Sequence, residues 1–151
     1  MASIVSSEST SSNVPTILNN GIKPLEYKVE LDVELSSCSY SFKVDIKFQL
    51  IENTKSIRLH WIPKEKSKPI INGIFSNIIS TSVTLDLETQ TILFVFDEDL
   101  PISGTLHVEG HSILDDSLCG LYRSAYTDPH TSEKKYMAVT QFEATDARRC
   151  F

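Results

Sequence analysis

The sequence predicts an all-β protein, an antiparallel β-sandwich, and two features of the chain support this prediction. Apolar and polar residues alternate with a period of two in several short runs, a spacing that a strand converts into one apolar and one polar face. No window before Asp146 shows the 3.6-residue apolar spacing of an amphipathic helix. Repeated strands with one apolar face bury those faces by packing two sheets against each other.

The first two strands are predicted from two long alternating runs joined by a short polar link. Apolar residues occupy alternate positions from Tyr27 to Leu35 and again from Tyr40 to Leu50, with charged or polar residues between them. The link, residues 36–39, is short enough for an antiparallel hairpin. The domain is therefore expected to begin with two paired strands.

Shorter runs continue the pattern along the rest of the chain. They cover 57–61, 83–87, 91–96, 105–109 and 136–141, and the polar residues 88–90 form a turn between two of them. Residues 1–20 are rich in Ser and Thr and have no periodic apolar face, which predicts a flexible polar tail. Residues 21–151 are expected to form one β-domain, because 151 residues suffice for a single core.

Composition and charge exclude several classes of protein. Fourteen Lys and Arg face twenty Asp and Glu, and no basic cluster is present, so nucleic acid is not an expected partner. No segment approaches 18 consecutive apolar residues and the start lacks the features of a signal peptide, so we expect no membrane partner and a cytoplasmic location. The cysteines are odd in number and widely spaced, which predicts reduced thiols.

The sequence offers only weak candidates for a metal site or a catalytic nucleophile. His107 and His111 lie four residues apart, as on a zinc-binding helix, but on a strand this spacing separates them by roughly 13 Å. We therefore expect two solvent-facing histidines and no metal site. Cys150 has one residue after it, which favours a packed thiol over a nucleophile. Trp61, on an alternating run, is expected to pack in the core.

The most informative segment is the run Thr-Gln-Phe-Glu-Ala-Thr-Asp-Ala-Arg-Arg, residues 140–149. In an extended chain Gln141 and Glu143 point to one side and Phe142 to the other. A carboxylate in this position could bind an ammonium group, with the amide holding a carbonyl or amine beside it. From the residues alone, the favoured interpretation is structural, a capped strand end followed by a helix that begins near Asp146.

The segment closely resembles the Thr-Gln-Phe-Glu-Pro-Thr-Asp-Ala-Arg-Arg stretch of the puromycin-sensitive branch of the gluzincin aminopeptidases, a family that includes aminopeptidase N. The runs at 119–128 and 133–138 resemble the family's upstream stretches, and 22–27 resembles the start of its first strand. The resemblance covers residues 21–151. Ala144 and Cys150 depart from the pattern, because proline and alanine are usual at these positions.

The resemblance implies a saddle-like N-terminal β-domain of a zinc aminopeptidase. Glu143 matches the glutamate that helps to bind the free α-amine of the substrate, and Gln141 matches a residue that lines the pocket for the first side chain. The zinc-binding His-Glu-x-x-His and Gly-x-Met-Glu-Asn motifs are absent from the sequence. We therefore expect no catalytic or metal-binding residue in this chain, zinc only in the full-length enzyme, and no activity from the chain alone.

Two functions remain open on the sequence. In the first, the chain is truncated before a zinc-containing catalytic domain of the same polypeptide, and its partners are that domain and peptide substrates. In the second, it is a stand-alone β-domain that binds peptides or a protein partner without catalysis.

Overall fold

The computed structural model describes residues 17–18, 21–64, 72–75 and 78–151, and at 72–75 it describes the backbone alone. The predicted flexible tail at 1–20 lies outside these ranges, except for Ile17 and Leu18. The described elements are β1 (Ile22–Glu34), β2 (Ser39–Leu50), β3 (Ser56–His60), β4 (Asn72–Phe75), β5 (Ile78–Ile79), β6 (Ser82–Asp86), β7 (Thr91–Val95), β8 (Ser103–Ile113), β9 (Gly120–Thr127), β10 (Lys134–Gln141) and a 3-10 helix, Asp146–Arg149, called here the C-terminal turn.

The strands form three antiparallel sheets, which confirms the predicted fold class. Sheet A has the order β1-β2-β8-β4-β5 and sheet B the order β3-β7-β6, while β9 and β10 form a separate hairpin. The predicted pairing of the first two strands is confirmed, with Val29 opposite Val44. The alternation predicted two sheets, and the separate hairpin is an addition that it did not predict. Within the described ranges, no helix is long and apolar enough to cross a membrane.

The core lies between sheets A and B. Alternate side chains of β2 point inward and are almost fully buried, as the period of two predicts. They form one cluster with side chains of β3, β7 and β8, and with Trp61, whose predicted core position is confirmed; the cluster includes Phe42, Val44, Ile46, Phe48, Ile57, Ile92, Phe94, Leu106 and Val108. Full burial of each such aliphatic or aromatic side chain contributes about 1.5–3 kcal/mol.

The apolar row of β1 is more exposed than the alternation suggests. Tyr27 is 54% exposed and Leu31 38%, although their partners on β2, Ile46 and Phe42, are buried. The physical reason is position: β1 is the edge of sheet A, which has five strands, whereas sheet B has three. The smaller sheet leaves part of the larger one uncovered.

The carboxyl end of the chain is fastened to the core. The Tyr40 hydroxyl donates a hydrogen bond to the Cys150 carbonyl at 3.0 Å, and the backbone N–H of Ile62 donates to the Arg148 carbonyl at 2.7 Å. Burial raises the pKa of Tyr40 and raises the pKa of the Cys150 thiol to about 11. Cys150 is therefore a packed thiol, as predicted, and all three cysteines are free.

A buried cation holds the loop that precedes β9. The side chain of Lys64 is 4% exposed, and its Nζ donates to Asp115 at 2.6 Å and to the Ser117 hydroxyl and the Cys119 carbonyl at 3.2 Å each. Burial acts to raise the pKa of Asp115, but the hydrogen bonds from Lys64 and Ser117 outweigh it, so this pKa lies below its ordinary value. Lys64 thus connects the segment after β3 to the start of the hairpin.

Replacing Lys64 by alanine should lower the free energy of unfolding by about 2–3 kcal/mol, because Asp115 and the Cys119 carbonyl lose a buried donor. This is below the cost for a fully buried pair, because the side chain of Asp115 is 29% exposed. Urea unfolding followed by circular dichroism measures the change.

Lys43→Ala is the matched control, because Lys43 lies exposed on β2, where a substitution should change stability by less than about 0.5 kcal/mol. Equal losses in the two variants would contradict the role given to Lys64.

In the wild type, Asp115 has a lowered folded pKa, so its contribution is present above its unfolded pKa and is lost as the pH falls through the folded value. The difference between wild type and Lys64→Ala should therefore shrink in acid.

Cys150 should resist thiol reagents in the folded chain. It is 1% exposed, and with a pKa of about 11 its thiolate fraction at pH 8 is on the order of one in a thousand. Timed labelling with an aromatic disulfide, followed by peptide mass spectrometry, should show Cys38 and Cys119 modified first and Cys150 modified at the rate of unfolding. Labelling of Cys150 as fast as Cys119 would disprove its burial.

Candidate functional site

Gln141 and Glu143 lie where β10 ends and the chain approaches the C-terminal turn. Gln141 is the last residue of β10 and pairs with Gly120 at the start of β9. Both polar side chains are exposed, while Phe142 between them packs against the core and meets the Phe151 ring edge-on at 5.9 Å. Phe142 and Glu143 lie after the last residue of β10, and the polar side chains on either side of Phe142 are accessible to solvent.

The C-terminal turn is hydrogen-bonded to the residue that follows β10. The backbone N–H of Asp146 donates to the Phe142 carbonyl at 2.9 Å, and the Arg149 Nε donates to the Asp146 carboxylate at 2.7 Å. The helix predicted to begin near Asp146 is this single 3-10 turn, and Thr145 before it makes no side-chain capping hydrogen bond. The peptide bond between Glu143 and Ala144 is cis.

Gly120 allows the C-terminal turn to pack directly on the hairpin. Its φ is +69°, a left-handed conformation that favours glycine, and a Cβ built there would lie 2.8 Å from the Cβ of Arg149 and 3.1 Å from its carbonyl carbon and oxygen. The position faces Gln141 across the hairpin. The sequence analysis did not single out Gly120, and the available signal was a glycine at the first position of a strand.

Arg123 ties the hairpin to two other parts of the domain. Its Nε and Nη2 donate to both carboxylate oxygens of Asp116 at 2.8 and 3.0 Å, and its Nη1 donates to the Cys38 sulfur at 3.2 Å. The guanidinium also lies 5.2 Å from the centre of the Tyr136 ring. The hydrogen bonds from Arg123 hold the pKa of Asp116 below its ordinary value. The base of the hairpin is thereby fixed relative to the link between β1 and β2.

The two histidines that are four residues apart lie on a strand and not on a helix. His107 and His111 both lie on β8, as the sequence predicted, and His107 Nδ1 is hydrogen-bonded to Asp45 of β2 at 2.7 Å. In the part of the chain that the structure describes, no group of three or more His, Cys, Asp or Glu side chains is arranged to hold a metal ion.

Comparison with known proteins identifies one family and several relatives. The family model for the peptidase M1 N-terminal domain matches residues 23–151. The alanine/arginine aminopeptidase of Saccharomyces cerevisiae is 32% identical over 138 residues, which cover 89% of this chain and 16% of that protein. Aminopeptidase M1 of Arabidopsis thaliana is 33% identical over 141 residues, covering 85% and 15%, and aminopeptidase M1-A of Oryza sativa is 35% identical over 135 residues, covering the same shares.

Gly120→Ala should lower the free energy of unfolding by about 1–3 kcal/mol, because alanine is strained at this φ and its methyl group would overlap Arg149. Urea unfolding of four chains, the wild type, Gly120→Ala, Arg149→Gly and the double variant, measures the coupling between the two positions. Arg149→Gly removes the contact at 2.8 Å but leaves the backbone contacts, so the double variant should recover part of the loss. Strictly additive losses would show that the two residues do not meet.

Proposed function

This chain belongs to the peptidase M1 N-terminal domain family, and on that basis we propose that it forms the first domain of a zinc-dependent aminopeptidase and that Gln141 and Glu143 hold the amino end of the peptide substrate. The observation that supports the proposal is the segment 141–143 at the end of β10, where a partly buried Phe142 lies between two exposed polar side chains. The matched relatives are aminopeptidases, and the chain spans about 15% of their length.

Glu143 supplies the charge that a free amino terminus needs. A carboxylate accepts charge-assisted hydrogen bonds from an ammonium group, which are shorter and stronger than those between neutral groups. Gln141, with one acceptor and two donors on its amide, can meet the remaining polar atoms of the first residue. Together they would orient the peptide so that its first peptide bond is presented to the catalytic groups.

Contacts of the neighbouring residues hold the backbone around Glu143. Phe142 packs against Phe151, and the backbone N–H of Asp146 is bonded to the Phe142 carbonyl, so the backbone on either side of Glu143 is held from two directions. A binding group held in advance loses less conformational freedom when its ligand arrives. The support therefore favours a role in binding over that of a mobile surface carboxylate.

Zinc does not fit the described residues of this chain. His107 and His111 lie on a strand, His107 is hydrogen-bonded to Asp45, and no cluster of donors is present among the described side chains. We propose that the metal and the groups that break the peptide bond belong to the catalytic domain of the same polypeptide. The chain by itself then has no peptidase activity, and the whole enzyme acts in peptide catabolism in the cytoplasm.

A second candidate function is a stand-alone β-domain that binds a peptide or a protein without catalysis. The half-exposed apolar row of β1, which includes Tyr27 and Leu31, favours it, because such a row on an edge strand can accept a partner. The coding sequence after Phe151 separates the two proposals. Continuation into a His-Glu-x-x-His helix supports the enzyme, and a stop codon supports the binding domain.

The variant Glu143→Ala, made in the enzyme that contains this domain, should lower kcat/KM on peptides with a free amino terminus by about ten- to a hundred-fold. The lost bond between an ammonium group and a carboxylate accounts for about 1.5–3 kcal/mol. Because a displaced amine also misplaces the scissile bond, kcat should fall while KM rises.

Glu133→Ala is the matched control, because Glu133 is an exposed carboxylate at the other end of β10. Peptides with an acetylated amino terminus should be poor substrates of the wild type and should lose little more in Glu143→Ala, since the cation is already absent. Equal efficiency of Glu143→Ala and Glu133→Ala on the free-amine peptide would remove the proposed amine anchor.

A further inference from the structure

The outer edge of β1 is long and regular. β1 is the first strand in the order of sheet A, and among the described strands it pairs with β2 alone. Its pairing with β2 is interrupted once, between Pro24 and Glu26, and is regular from Glu26 to Glu34. Proline and irregular pairing protect the edges of natural sheets, but in β1 both occur only at its start. Residues 26–34 therefore offer a continuous row of backbone groups to a further strand.

The two faces of this edge differ in chemical character. One face continues the core side of sheet A and carries apolar side chains that are 36% to 54% exposed: Leu25, Tyr27, Val29, Leu31 and Val33. The other face carries four carboxylates and one ammonium group: Glu26, Lys28, Glu30, Asp32 and Glu34. Because side chains alternate between faces, a strand added here would contact the apolar row with one set of its side chains and the acidic row with the other.

The acidic row is not neutralised near the end of β1. Two ion pairs involve its other carboxylates, Lys47 with Glu26 at 3.3 Å and Lys28 with Glu30 at 2.7 Å. Asp32 and Glu34 form no ion pair among the described side chains, and the residues opposite them on β2 are the neutral Ser41 and Ser39. Hydrogen bonds from Ser36 hold the pKa of Glu34 below its ordinary value, so this carboxylate stays ionised at neutral pH.

We propose that residues 26–34 of β1 bind an extended segment of a partner protein in which apolar and basic residues alternate. Backbone hydrogen bonds along the free edge are available to any added strand. Apolar side chains of the partner would cover the exposed row of β1, and its basic side chains would lie opposite Asp32 and Glu34. A second copy of β1 is a poorer partner, because its charged row is also acidic and like charges that face each other across two strands are destabilising.

The probe is a fluorescent peptide of alternating lysine and valine, equal in length to residues 26–34, acetylated at its amino end and amidated at its carboxyl end. Fluorescence anisotropy measures its binding to the full chain at low ionic strength. We expect saturable binding by this peptide. A peptide of alternating glutamate and valine should bind about ten-fold more weakly or not at all, because its charge is reversed. A peptide of alternating lysine and serine should also bind about ten-fold more weakly, because it keeps the charge and lacks the apolar row.

Hydrogen–deuterium exchange locates the bound peptide. Saturation with the lysine–valine peptide should slow the exchange of those backbone amides of residues 26–34 that face the free edge, because they gain hydrogen bonds. β6 is an edge strand of sheet B and serves as the matched control, in which exchange should not change. Protection of β6 without protection of β1 would contradict the proposed location.

Two variants test the two rows separately. Asp32→Lys should weaken binding of the lysine–valine peptide by about five- to ten-fold, because an attractive pair becomes a repulsive one. Glu98→Lys is its control, because Glu98 is an exposed carboxylate between β7 and β8 and the change of charge is the same. Leu31→Thr should weaken binding about five-fold through the apolar row, and it is the second test should Asp32→Lys fold poorly by circular dichroism.

Equal affinities of the chain for the lysine–valine and glutamate–valine peptides, or equal affinities of Asp32→Lys and Glu98→Lys for the lysine–valine peptide, would overturn the proposal. Absence of saturable binding would overturn it as well, including the case in which sedimentation shows a second copy of the chain as the partner. The proposed amine anchor is tested separately, because the acetylated peptide has no free amino terminus and Glu143→Ala should bind it as the wild type does.

Discussion

The hydrogen bond that the Tyr40 hydroxyl donates to the Cys150 carbonyl is the contact on which the arrangement of the domain depends. Tyr40 belongs to β2, the strand that pairs with both β1 and β8, and it is 2% exposed. Ser112 also hydrogen-bonds to this phenol, and the bond to the Cys150 carbonyl adds about 0.5–1.5 kcal/mol, which favours a chain end that lies where it accepts this bond. The C-terminal turn, and with it the support behind Glu143, is placed relative to the core by this requirement.

The alternation of apolar and polar residues predicted the strands that bury one face. It did not predict the strands that bury both faces or neither face. β2 was predicted almost to its ends because every second side chain enters the core. β9 was not predicted, because only its first two residues are buried, Tyr122 and Arg123 are both partly exposed, and no alternation results. The short strands β4 and β5 carry too few residues to show a period.

The residues of the candidate site were named from the sequence, and their role stays a prediction. Gln141 is the last residue of β10, and Phe142 and Glu143 follow it, so the geometry of a strand does not fix the direction of the Glu143 side chain. Gly120 and Lys64 contribute through contacts with residues distant in the chain, Arg149 and Asp115, and no local pattern distinguishes them from an ordinary loop glycine or a surface lysine. A sequence shows which side chains are present, but the tertiary contacts that hold them in place can be identified only from the structure.

The bond between Tyr40 and Cys150 also has a consequence for how the domain forms. It joins residues separated by 110 positions, and the pairing of β2 with β8 is likewise distant in sequence. Contacts of this kind close large loops, and proteins with many of them fold more slowly. On the ribosome, β2 leaves the exit tunnel long before its last partner, so its apolar row stays without that cover until synthesis reaches the final turn. Apolar surface that stays exposed during synthesis favours aggregation, so this bond forms at the stage when that risk ends for Tyr40.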